Sequence, residues 1–131
     1  MDFVKSKEPS SFCTICTKNC KEELVLWMLT LSIHHPNSKV YVICDSESKK
    51  AIDNLSPNVN DRLNIKWYVE LDEYSDKSRK QMEDEGTWSD FQMKKAEVMS
   101  RALEYEPDTL FLDSDIVLLD KINDINHDME I

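Results

Sequence analysis

Apolar positions along this chain fall into two rhythms. Residues 11–17 (Ser-Phe-Cys-Thr-Ile-Cys-Thr) and 39–45 (Lys-Val-Tyr-Val-Ile-Cys-Asp) are short runs rich in β-branched and aromatic residues, and they predict strands. Residues 63–71, with Ile65, Trp67 and Val69 at period two, predict a third. Between the first two lies a segment, 24–33, that is apolar almost all round and predicts a helix packed on several sides. Asn19 is its expected N-cap, acids at 22 and 23 suit its dipole, and His34-His35-Pro36 ends it. Residues 46–55 predict a short helix and 56–60 a loop. Residues 88–105 predict a second strong helix, with Met93, Ala96, Met99 and Leu103 as its core face. The charged stretch 72–87, with a helix over 77–85, reads as a solvated face; the alternative is a lid that orders on a ligand. Residues 109–119 (Thr-Leu-Phe-Leu-Asp-Ser-Asp-Ile-Val-Leu-Leu) predict a last strand, buried on both faces. The order β-α-β-α-β-α-β implies parallel strands and right-handed crossovers, hence a single α/β domain over 1–131 with a Rossmann-like, mostly parallel sheet.

Asp113 and Asp115 interrupt that last apolar run at the strand's C-terminal end, the edge where open α/β sheets bind ligands. On an extended chain both would point the same way. At ~4–5 Å and an effective dielectric of ~20 their repulsion is roughly 3–4 kcal/mol. A hard divalent cation, Mg²⁺ or Mn²⁺, would relieve it and share its other positions with water and phosphates. Asp-Ser-Asp is equally good turn chemistry, because short polar side chains bond their own backbone where a strand ends.

Charge changes this picture. With 26 acidic and 16 basic residues the net charge is −10, which argues against nucleic acid and against an anionic membrane surface. An acidic chain that handles phosphate needs a metal as its positive element. A single glycine, Gly86, excludes every glycine-rich phosphate loop. Residues 1–11 are polar, unlike a signal peptide, and the 24–33 stretch is about half the length of a membrane span, so a cytoplasmic protein is expected.

The cysteines are Cys13, Cys16, Cys20 and Cys44. Cys13-x-x-Cys16 has metal-like spacing, but on a strand residues three apart face opposite sides. Small buried hydrophobes in a reducing compartment is the better account. His34 and His35 diverge on a helix and are expected to serve only its C-terminus.

Taken together, these stretches resemble the N-terminal, nucleotide-binding half of a GT-A-fold glycosyltransferase of the glycogenin-like, nucleotide-diphospho-sugar transferase kind. The resemblance covers roughly residues 12–122. It is carried most specifically by Leu110-Phe111-Leu112-Asp113-Ser114-Asp115-Ile116-Val117, which looks like the Asp-x-Asp motif. It is supported by the opening strand and loop, residues 12–19, and by Lys95, eighteen residues before Asp113.

The resemblance implies a donor such as a UDP-sugar and an acceptor of unknown kind. Asp115 would ligate Mn²⁺ or Mg²⁺ directly, and Asp113 directly or through water. Ser114 would bond the ribose, Lys95 would reach the phosphates or sugar, and Ile15, Cys16 and Thr17 would border the base. Asp45, ending the second strand, is a weaker pocket candidate. The family's second half supplies the acceptor site and often a histidine ligand, so these residues read as a donor half, with catalytic residues unassigned and His127 the only downstream histidine. The face where that half would pack is expected to favour homodimers.

Three rivals stand beside this reading. A haloacid-dehalogenase-type phosphatase shares an Asp-x-Asp motif, but there it normally opens the chain. A nucleotidylyltransferase needs a glycine-rich loop after its first strand. A non-catalytic sugar-nucleotide-binding or interaction module needs only the sheet.

Overall fold

A computed structural model describes residues 8–55 and 58–122. Its sheet has four parallel strands: β1 (Ser11–Cys16), β2 (Lys39–Cys44), β3 (Asn64–Val69) and β4 (Leu110–Phe111). Their spatial order is β3-β2-β1-β4. Ser11 to Cys16 pair in register with Lys39 to Cys44, and those with Asn64 to Val69. The helices are α1 (Lys21–His34), α2 (Ser46–Asp53), α3 (Asn58–Arg62), α4 (Arg79–Glu85) and α5 (Trp88–Leu103). This is the expected α/β, Rossmann-like architecture.

Topology decides which helix covers which face. From β1 through β2 to β3 the chain advances in one direction, so right-handed crossovers put α1, α2 and α3 on one side. The crossover from β3 returns past β1 to β4, which puts α5 on the other side. β1 is buried along its whole length and feeds both faces. Phe12 and Cys16 pack with Val40, Val42, Leu24, Trp27, Met28 and Leu31. Cys13 and Ile15 pack with Tyr41, Ile43, Leu71, Val98 and Ala102. Cys13 and Cys16 therefore face opposite sides of the sheet, as the strand period requires. Each fully buried large side chain in these layers contributes about 1.5–3 kcal/mol.

Several elements differ from expectation. β4 is two half-buried residues, because among the described residues β1 is its one neighbour in the sheet, rather than a long strand buried on both faces. After the acids the apolar residues leave the sheet and run along α1. There Leu118 is buried and its N–H donates to Thr30 Oγ1 at 3.0 Å, while Leu119 is 88% exposed. On α5 the core residues are Val98 and Ala102; Met99 packs beside them, Ala96 is exposed, and Met93 and Leu103 are 65% and 52% exposed. α1 is packed on one side only, since Leu26 and Ile33 are more than half exposed. It is preceded by a 3₁₀ turn (Lys18–Cys20), which makes Cys20 its N-cap instead of Asn19. Residues 58–60 are helical rather than a loop; Ser56 and Pro57 lie outside the described residues. In β3, Ile65 and Trp67 pack on the core, whereas Val69 is 40% exposed. Among the described residues no helix is long and apolar enough to cross a membrane.

Candidate functional site

The chain leaves β1 toward β2, while β4 lies on the opposite side of β1. The C-terminal ends of β1 and β4 therefore flank a topological switch point, where backbone connections diverge and leave a crevice. A cavity of about 320 Å³ opens there. One wall is Ile15, Cys16 and Thr17, at the end of β1. A second is Asp113, Ser114 and Asp115, just beyond β4. The N-terminal half of α5 supplies Trp88, Phe91, Gln92 and Lys95, and the segment before it adds Lys77, Arg79 and Met82. Seven of the eight residues singled out in the sequence thus line one cavity; Asp45 does not.

The acids do not extend along a strand. They sit in a turn closed by a backbone bond, the Ile116 N–H donating to the Asp113 carbonyl at 3.0 Å. Ser10 and Ser11 place this turn: the Ser10 N–H donates to Asp108 Oδ1 at 2.7 Å, and the Ser11 hydroxyl donates to the Asp108 carbonyl at 2.9 Å. These bonds lock the approach to β4 against the start of β1. The Asp113 carboxylate is 58% exposed and faces Lys95, with Nζ 3.4 Å from Oδ1. Two exposed carboxylates with an intervening hydroxyl are hard oxygen donors, the set that Mg²⁺ or Mn²⁺ takes when water and phosphate complete its shell. Among the described residues no three His, Cys, Asp or Glu side chains converge on a metal position by themselves. His127 lies outside the described residues.

The β1 wall is chemically quiet. Burial pushes the Cys16 thiol up to about 12, only partly offset by its contact with the Ser48 hydroxyl. Burial likewise raises Cys44 to about 12. At neutral pH both are thiols, neither nucleophiles nor ready metal ligands. The wall therefore offers shape and backbone groups.

Asp45, expected at the nucleotide pocket, is fully buried and committed to structure. Its carboxylate caps α2 by accepting from the Ser48 N–H at 2.9 Å, and it also accepts from the Lys18 N–H at 2.7 Å and from the Ser75 hydroxyl. Burial alone would raise its pKa, but these bonds outweigh burial and hold it below the usual carboxylate value. Asp45 thereby ties the end of β1 to the segment that roofs the cavity.

That segment, read from sequence as a solvated face, carries the residues that sequence reasoning missed. It runs through a 3₁₀ turn (Asp72–Tyr74) into α4, which starts with a capping box between Ser78 and Gln81. Lys18 pairs with Asp76, and Asn19 Nδ2 donates to the Lys77 carbonyl at 3.3 Å, so the segment is tied to the loop after β1. Dense charge along 72–87 left no local pattern to single out Lys77 and Arg79.

No family model, curated protein or solved structure matches this chain.

Proposed function

We propose that this cavity is the donor site of a metal-dependent glycosyltransferase of GT-A type, which takes a nucleoside-diphosphate sugar, a UDP-sugar in the first instance. The observation that carries the reading is the convergence of Asp113, Ser114 and Asp115 with the end of β1 and with Lys95 at one switch-point cavity. Charge supports it. In a chain of net charge −10, the three cations Lys77, Arg79 and Lys95 line the same cavity as Asp113, Asp115 and Glu23. Cations on one wall and carboxylates on another are complementary to a diphosphate carrying its own divalent ion.

In this reading Asp113 and Asp115 would hold Mn²⁺ or Mg²⁺, which would supply the positive charge that a departing diphosphate needs. Lys95 then turns from Asp113 toward the phosphates. Ser114 bonds the ribose, and Ile15, Cys16 and Thr17 border the base. The acceptor and the groups that activate it are left unassigned.

Calorimetric titration with UDP, with and without Mn²⁺, tests the reading. Binding that requires Mn²⁺ is expected. Absence of binding in both conditions, from a folded sample, would overturn it. Binding without sugar transfer or UDP-sugar hydrolysis would favour a non-catalytic sugar-nucleotide-binding module.

A further inference from the structure

We propose that Trp88 is the platform on which the donor's base stacks, with Arg79 as its exchangeable cover. The inference rests on the reading of the cavity as a nucleoside-diphosphate site, and adds the part of that site which recognises the base.

Trp88 opens α5, and along this helix the environment changes. Val98 and Ala102 are sealed against the sheet, whereas Trp88 is half-buried and lines the cavity. Its ring is held in a series of aromatic contacts. It stacks on Phe91 at 5.7 Å with only 23° between the planes, and Phe91 meets Tyr74 edge-on at 5.3 Å. Tyr74 is buried, so the series is anchored in the core and the indole is fixed in advance. A preorganised ring loses little entropy when a ligand stacks on it. The other tryptophans, Trp27 and Trp67, pack in the opposite layer.

The Arg79 guanidinium lies over the Trp88 ring, with Cζ 4.7 Å from the centroid. A guanidinium and a nucleobase are both flat and delocalised, and both favour an aromatic face. Arg79 also reaches Glu83, at 3.3 Å on an exposed i,i+4 spacing, a weak surface pair. The guanidinium is therefore held mainly by the Trp88 face, for which a base would compete. Displaced by a base, it stays on the wall that carries Lys77 and Lys95, where its fork suits phosphate oxygens. Ile15, Met82 and Phe91 add apolar surface to the cavity lining. The volume of about 320 Å³ suits a ligand of nucleotide size.

The test compares two probes on the full chain, UDP with Mn²⁺ and inorganic pyrophosphate with Mn²⁺. Trp88→Ala is expected to weaken UDP by about tenfold or more and to leave pyrophosphate within about twofold. Trp88→Phe, which keeps a ring, is expected to bind UDP within about threefold of the unaltered chain. UDP should quench tryptophan emission in the unaltered chain and leave that of Trp88→Phe unchanged. Equal weakening of both probes in a folded Trp88→Ala chain, or unchanged UDP binding, would overturn the platform while the donor site stands. If Trp88→Ala does not fold, the quenching comparison decides, and equal quenching in Trp88→Phe overturns the proposal. If the unaltered chain binds neither probe, the donor reading and the platform fall together.

Discussion

Lys95 Nζ lies 3.4 Å from Asp113 Oδ1, so an amine on α5 partly neutralises the first acid of the turn beyond β4. Both side chains are more than a third exposed, and such a pair contributes only about 0–1 kcal/mol to stability. Its weakness is useful. In a donor site the same amine would be released when a metal–diphosphate arrives, exchanging one carboxylate for phosphate oxygens. Lys95→Ala should therefore have opposite effects on two ligands. Mn²⁺ alone should bind at least as well, because a competing cation is gone, whereas UDP with Mn²⁺ should weaken by about tenfold, one charge-assisted bond being worth about 1.5–3 kcal/mol. Calorimetry on both ligands checks this; parallel losses would show that Lys95 only supports the fold.

Asp115→Ala separates ligand binding from stability. The side chain is exposed, and substitutions at such positions change stability by less than about 0.5 kcal/mol. Removing one of two carboxylates should nevertheless abolish Mn²⁺-dependent UDP binding. Retained affinity in the variant would remove Asp115 from the metal set.

Asp45→Ala is expected to behave in the reverse way. Three donors converge on this buried carboxylate, and its loss strips the cap from α2 while leaving the Lys18 and Ser48 amides without their acceptor. A loss of roughly 1–3 kcal/mol follows from the cap and from the unpaired donors. Because the folded-state pKa is depressed, the stabilisation is present above the unfolded value of ~3.9 and is lost as pH falls through the folded one. Urea melts at pH 7 and pH 3 would show it as a difference between the unaltered and Asp45→Ala chains that shrinks in acid.

Particular elements explain what could be read from the sequence. β1 was legible because its six residues are all buried and alternate between two layers, a constraint written into every side chain. The length of β4 was not, because ladder length depends on neighbours, and among the described residues β1 alone pairs with it. The apolar residues after the acids serve α1 instead. The misassigned face of α5 has a more informative cause. Its true inward line runs Phe91, Lys95, Val98 and Ala102, and Lys95 breaks the apolar rhythm. The line containing Met93, Ala96 and Leu103 therefore looked cleaner. Lys95 is polar because at its level the helix passes from sheet to cavity. The interruption that hid the core face thus marks the edge of the site.

His35 makes the attachment of the segment that follows the acids pH-dependent. Its ring is buried against Phe12 at 4.9 Å; Nε2 accepts the Ile122 N–H at 2.8 Å, and Nδ1 lies 3.0 Å from Glu8 Oε1. An amide can only donate, so Nε2 must carry the lone pair and Nδ1 the proton, which makes this a neutral imidazole. Burial lowers its pKa, opposed by the Glu8 carboxylate and assisted by Lys121 and His34. The folded state therefore resists a proton that the unfolded chain takes up near ~6.5. Stability contributed by this ring is complete above that value and declines as pH falls below it, with a slope of at most about 1.4 kcal/mol per pH unit for one proton. Protonation at Nε2 would break the bond to Ile122 and loosen the segment that carries Leu118 onto α1. Urea denaturation at pH 7.5 and 5.5 should show the unaltered chain weakening and a His35→Gln chain nearly flat. Equal losses in both would assign the dependence to another group.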